Sequence, residues 1–157
     1  MFGVRGYDVV MCSMPRSIRF EERVGRRLAA YVASRPGWSG SSAANRFVDE
    51  GLRMEDHPGV IFRDGPSGRR AVLIGGPDVA EVIRAVMSAR RAEPRLGAEA
   101  VVALVASNTG VSARLIDTAL RYWAAYPDEI DVWIVDTEQR EQAGLQAWQR
   151  QQDLLAR

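Results

Sequence analysis

At 157 residues the chain suits one or two small domains, and its 46% hydrophobic and 26% charged content is that of a globular protein rather than a disordered one. No apolar run reaches the roughly 18 residues of a membrane span, and the start lacks the basic-then-apolar order of a secretory leader, so a cytoplasmic protein with no membrane partner is expected. The net charge of +1 conceals an asymmetry: residues 1–54 carry nine Arg against five acids, and residues 128–157 carry three Arg against seven. A basic front suits a polyanion, and an acidic end suits a different partner. All 21 basic residues are Arg, whose planar fork grips phosphates and guanine edges in a way Lys does not. The single Cys12 and single His57 leave no disulfide framework and little for a metal site.

In chain order, residues 1–13 show no helical or strand period continuous with residues 14–20 and read as a loosely ordered lead to a candidate start at Met14. Ser17-Ile18-Arg19-Phe20 then alternates polar and apolar, the period of a short strand that buries Ile18 and Phe20 and turns Ser17 and Arg19 outward. From Glu21 the period changes. Val24, Leu28, Tyr31 and Val32 fall at helical spacing, with Arg23, Arg26 and Arg27 beside them. Arg35-Pro36-Gly37 stops that helix, since proline cannot continue it and glycine suits the turn. Ser39 caps a second helix whose apolar stripe is Ala44, Phe47, Val48 and Leu52, closed by Asp56-His57-Pro58-Gly59. One strand per chain has no partner for its backbone groups and no cover for Ile18 and Phe20. A second copy supplies both, so the reading requires a homodimer.

Val60-Ile61-Phe62-Arg63 and Arg70-Ala71-Val72-Leu73-Ile74 flank a turn at Asp64-Gly65-Pro66-Ser67-Gly68, which predicts a hairpin. Gly75-Gly76-Pro77 leads to Asp78 and Glu81, spaced as a capping box for a helix running to Arg91. Residues 98–107, then Gly110-Val111-Ser112, then residues 113–126 give helix, tight turn, helix. Ala106, Gly110 and Ile116 hold the small, turn and buried-aliphatic positions of a helix-turn-helix. Trp123, Tyr126 and Trp133 are expected to pack rather than stack on bases, because no basic groove accompanies them. From Thr137 a helix carries Leu145, Trp148 and Leu155 on one side among Gln and Glu residues. That stripe suits either a partner's groove or docking back on its own domain.

Residues 15–54 resemble the ribbon-helix-helix family, which includes the Arc and Met repressors and many antitoxins. The resemblance is carried by Ser17-Ile18-Arg19-Phe20, by Val24 and Leu28, and by Ser39-Gly40-Ser41-Ser42-Ala43-Ala44-Asn45-Arg46-Phe47-Val48. Glu21 departs from the pattern, standing where the family has Ser or another good cap. The run from the hairpin to Ala119-Leu120-Arg121-Tyr122-Trp123 and Tyr126-Pro127-Asp128-Glu129-Ile130-Asp131 is similar to a small prokaryotic domain of formerly unknown function. That domain is winged-helix-like and common in antitoxin-like proteins. Together the resemblances imply a mainly α fold with short β elements: a ribbon-helix-helix over 14–56, a hairpin plus helix-turn-helix module over 57–135, and an amphipathic C-terminal helix over 136–157.

On a two-stranded ribbon Arg19 points into a major groove, where its fork pairs with guanine N7 and O6, and Arg16 and Ser17 flank it. Ser39, Ser41 and Ser42 at a helix start offer free N–H groups and hydroxyls to a DNA phosphate. Ser112, Arg114, Asp117 and Arg121 face outward from the would-be recognition helix. Of these, Ser112, Arg114 and Arg121 are candidate DNA contacts, and Asp117 opposes them. No phosphate-binding loop, zinc-protease motif, paired Cys ligands or nucleophile beside a histidine is present, so no enzyme, cofactor or metal is predicted. The resemblance implies an antitoxin, a homodimer on a double-stranded operator that represses its own operon and neutralises a PIN-type ribonuclease toxin. Leu145, Trp148 and Leu155 are then the partner-binding residues, and Arg140, Arg150 and Arg157 are the arginines available to the toxin's acidic, metal-binding site. A stand-alone dimeric regulator and a dimeric protein-interaction adaptor are the alternatives.

Overall fold

The computed structural model describes residues 17–156. Among them, six helices and one two-stranded sheet are arranged in the order α1 (Glu22–Ala33), α2 (Gly40–Asp56), β1 (Val60–Gly65), β2 (Gly68–Leu73), α3 (Val79–Ala92), α4 (Ala98–Thr109), α5 (Ala113–Ala125) and α6 (Pro127–Leu155). The chain is mainly helical, with short β elements. It divides into two units, the first ending at Asn45 and the second beginning at Arg46, with the division inside α2. No single helix among the described residues is long and apolar enough to cross a membrane.

In the first unit, Ser17-Ile18-Arg19-Phe20 carries no strand in the single chain. Ile18 and Phe20, expected to be buried, are 66% and 39% exposed. The physical reason lies in the geometry of pairing: an isolated extended segment has neither a ladder partner nor a surface to cover its apolar side. α1 is strongly amphipathic, yet none of its residues is buried. Glu21 stands at its N-cap without a side-chain cap hydrogen bond, as expected for a residue with that side chain. The turn after α1 is held by aromatic contacts. The Arg35 guanidinium lies 3.7 Å over the Tyr31 ring, and Tyr31 meets Trp38 edge-on at 5.9 Å.

The second unit has a single apolar core. Val60, Ala71 and Leu73 come from the hairpin, Val79, Val82 and Ile83 from α3, Val101 and Val105 from α4, Ile116, Ala119 and Tyr122 from α5, and Ile130 and Ile134 from α6. The spacings explain the packing. Residues at i, i+3 and i+4 share a helical face, so α3 turns Val79, Val82 and Ile83 inward together, and α6 does the same with Ile130 and Ile134. Each such aliphatic is worth about 1.5–3 kcal/mol relative to leaving it in water. α3 lies centrally and packs on β2, α4, α5 and α6, while α5 packs on both strands.

The hairpin is tighter than the five-residue turn suggested by its composition. β1 and β2 pair in register from Val60 with Leu73 to Gly65 with Gly68, leaving only Pro66 and Ser67 at the tip. Gly76 comes just after the hairpin, where a Cβ would lie 3.2 Å from both Leu115 Cδ1 and Leu73 Cβ, so a side chain there would push its neighbours aside by a few tenths of an ångström. Asp78 is the N-cap of α3 but makes no side-chain cap bond, because its carboxylate is taken by Arg70. The expected capping box is therefore replaced by an ion pair to β2. α6 begins at Pro127, ahead of the start expected at Thr137. Proline at the first helical position loses no hydrogen bond, so the helix runs unbroken through 29 residues.

Candidate nucleic-acid interface

The first unit presents its charge around α1. Ser17 and Arg19 are exposed, Arg16 lies outside the described residues, and Arg23, Arg26 and Arg27 are exposed along α1 itself. Among the described residues, a loose i,i+4 contact of 3.8 Å between Arg26 and Glu22 offsets them, and at the surface such a pair is worth little.

The start of α2 is built by two serines. Ser42 N–H donates to Ser39 Oγ at 3.0 Å, and Ser39 N–H donates to Ser42 Oγ at 3.0 Å, a reciprocal cap. The Ser42 hydroxyl also donates to the Ser39 carbonyl at 2.9 Å. Ser39 and Ser42 are thus occupied in closing the helix. Ser41 is exposed beside them, in the turn whose N–H groups carry the positive end of the helix dipole. Further along α2, Val48 and Leu52 of the expected apolar stripe are 50% and 61% exposed.

In the second unit the chain direction turns by 116° between α4 and α5. Gly110 makes this turn in the left-handed region at φ 72°, ending α4, and Ser112 Oγ caps α5 by accepting from Leu115 N–H at 3.4 Å. Ile116 is fully buried and Ala106 packs at the edge of the core, as helix-turn-helix spacing expects. Arg114, Asp117 and Arg121 are all exposed on α5. Arg121 is paired with Asp117 and also donates to Thr118 Oγ1 at 3.3 Å. Among the described residues, Arg114 has no such pairing, so the α5 face offers a polyanion a single uncompensated cation.

The best-connected polar cluster escaped sequence reasoning. Arg53, on the second-unit part of α2, donates from Nη1 to Glu129 Oε2 at 2.5 Å and to the Tyr122 hydroxyl at 3.1 Å. Its guanidinium lies 4.1 Å over the Tyr126 ring. Its Nε sits 2.9 Å from Asp49 Oδ2, an ionic contact out of hydrogen-bond alignment. His57 packs edge-on to Tyr122 and Tyr126 at 5.2 and 5.7 Å. Burial alone would lower the basicity of Arg53, but the hydrogen bonds to Glu129 and Tyr122 outweigh it and hold the guanidinium above its ordinary value. Burial pushes the Tyr122 hydroxyl up to about 12, against the lowering effect of Arg53. Beside it, Arg69 grips Glu50 bidentately, at 2.7 Å from Nε and 2.7 Å from Nη2. Both clusters clamp the second-unit part of α2, Arg69 from the hairpin and Arg53 through α5 and α6. Tyr122, Tyr126 and Glu129 lie in the closing motif legible in the sequence, but nothing local announces that Arg53 meets them across 76 residues.

A groove of about 200 Å³ lies between the hairpin tip, α3 and α6, lined by Arg70, Asp78, Arg84, Trp133, Arg140 and Glu141. Its arginines are neutralised within the chain: Arg70 by Asp78, Arg84 by Glu141 at 2.7 Å, and Arg140 by Asp136 with a further bond to Ser67. Arg140 thus has partners within the chain while its side chain stays 49% exposed. Arg157 lies outside the described residues, and Arg150 is exposed. Trp123 and Tyr126 pack against the core as expected, with the Trp123 indole N–H donating to Asp131 Oδ1 at 2.9 Å. Leu145, Trp148 and Leu155 do not dock back on the second unit and are 54%, 55% and 79% exposed. Among the described residues, no group of three His, Cys, Asp or Glu side chains is placed to hold a metal ion. Compared with protein-family models, curated proteins and solved structures, the chain matches none.

Proposed function

We propose that the protein is a homodimeric, sequence-specific DNA-binding protein of antitoxin type, which reads its operator through a ribbon formed by residues 16–20 of two copies. One observation carries the reading: α1 has an apolar stripe, three arginines and not one buried residue, and it comes directly after a segment whose Ile18 and Phe20 are also open to water. Apolar faces of this kind are costly to leave wet, and a second copy covers them while supplying the missing strand. Paired ribbons turn Arg19 outward, flanked by Arg16 and Ser17, with the exposed N-terminal turn of α2 at hand for phosphate. The helix-turn-helix of the second unit serves as a scaffold on this reading, since Arg121 is already paired with Asp117 and only Arg114 is left to meet DNA.

Neutralisation of a PIN-type ribonuclease rests on the resemblance and on the charge reversal along the chain, with the exposed Arg150 as the cation for an acidic toxin site. An adjacent reading frame encoding such a ribonuclease, whose toxicity this chain suppresses, is the outcome expected. DNA reading is tested with Arg19→Ala in a mobility-shift series on the protein's own promoter at two salt concentrations. Loss of a guanine contact weakens specific binding by about 1–3 kcal/mol and relaxes one operator position. A uniform loss on all sequences with a flatter salt dependence assigns Arg19 to phosphate instead, and no change at either salt removes it from the interface.

A further inference from the structure

We propose that the C-terminal half of α6 pairs antiparallel with the same segment of a second copy, the Trp148 of each seated over the Gly144 of the other. The inference does not rest on the toxin reading, and it assigns Leu145, Trp148 and Leu155 to a second copy in place of a toxin. α6 buries Ile130 and Ile134 in the core of the second unit. Steps of seven residues carry that face from Ile134 through Glu141 to Trp148 and Leu155, with Leu145 three residues before Trp148. Glu141 is still engaged, by Arg84 at 2.7 Å. Past it the same face stands open at Leu145, Trp148 and Leu155, which are 54%, 55% and 79% exposed.

Two features identify what covers it. Gly144 lies in the helix interior four residues before Trp148, hence on the same side, and a Cβ added there meets nothing within 4 Å. Among the described residues, then, no neighbour within the chain accounts for one of the poorest helix formers in the middle of a long helix. A notch next to the largest side chain on one face is self-complementary. Antiparallel pairing about a two-fold axis near Gln146 sets each bulge in the other's notch, an isologous contact. Charge points the same way. Residues 142–149 carry no charge, and Arg150 and Asp153, two and five positions beyond Trp148, fall on the other side of the helix. An uncharged face meets its own copy without like-charge repulsion, whereas a face meant for an acidic pocket would carry a cation. Arg150 remains outward for that role.

The test uses the full chain with Cys12→Ser, so that an introduced thiol is the only one. Leu145→Cys lies on the proposed seam, and Ala143→Cys, five residues before Trp148, lies on the opposite side. With a short bis-maleimide, Leu145→Cys is expected to give a covalent dimer and Ala143→Cys to give none. Adding Gly144→Leu to Leu145→Cys fills the notch while improving helix propensity, so the fold survives, as circular dichroism will show, and the crosslink is lost. Equal crosslinking at the two positions, no crosslinking at Leu145→Cys, or a crosslink indifferent to Gly144→Leu would each overturn the pairing and return the stripe to a different protein.

Discussion

Arg53 and Glu50 show how single side chains fix this molecule. Each joins α2 to distant parts of the second unit, and both bury charge that is compensated by geometry. Removing one member leaves the other without its chief partner in a poorly solvated place. Glu50→Ala is therefore expected to destabilise the fold by about 3 kcal/mol in urea denaturation, while the double change Glu50→Leu with Arg69→Met loses much less. Tyr122 gives a pH signature. Its hydroxyl pKa rises from 10.0 to about 12 on folding, so the folded state holds the proton more tightly. The stabilisation is fully present below pH 10 and is lost as pH rises toward 12, by at most about 3 kcal/mol. In Tyr122→Phe this alkaline decline should be absent from denaturation curves recorded across that range. None of these partnerships was legible in the sequence, because each joins residues far apart in the chain and no periodicity reports on side-chain pairing.

At the scale of elements, periodicity was informative where one chain suffices. The hairpin, α3 and the α4–turn–α5 unit arise from alternation, from aliphatics at i, i+3 and i+4, and from Gly110 and Ser112 at the turn. The details that sequence missed are those where a residue had two possible roles. Asp78 looked like a cap and instead pairs with Arg70, and Pro127, placed in the module's closing motif ahead of a helix expected from Thr137, instead opens that helix. Ser39 is the reverse case, a residue with two proposed roles that can be separated. As a cap it contributes about 1 kcal/mol, so Ser39→Ala should lower stability by that amount. Ser39→Asp keeps the cap but adds a negative charge at the α2 start. Stability near that of the native protein with weakened DNA binding is expected if a phosphate sits there. Unchanged affinity in a mobility shift would confine Ser39 to capping.

For the molecule as a whole, the charge asymmetry and the alternating segment Ser17–Phe20 were visible in the sequence, and the proposed dimer is where they would take effect. Ile18 at 66% exposure, α1 without a buried residue and the bare stripe of α6 are faces left open in one chain. On the proposed reading a second copy covers these faces, which the exposure in one chain motivates. The second-unit half of α2 is clamped by Glu50 and Arg53, so a fragment ending at Pro58 would lose those clamps, and the proposed dimer is best tested in the intact protein. Amide hydrogen exchange of residues 17–20 in the full chain, recorded over a dilution series, addresses the ribbon most directly. Pairing across a two-fold protects alternate amides of this segment, and the protection is expected to fall away on dilution as the dimer separates. Exchange at the rate of an unstructured peptide at every concentration, in a protein whose second unit remains protected, would contradict the ribbon and with it the proposed mode of reading DNA.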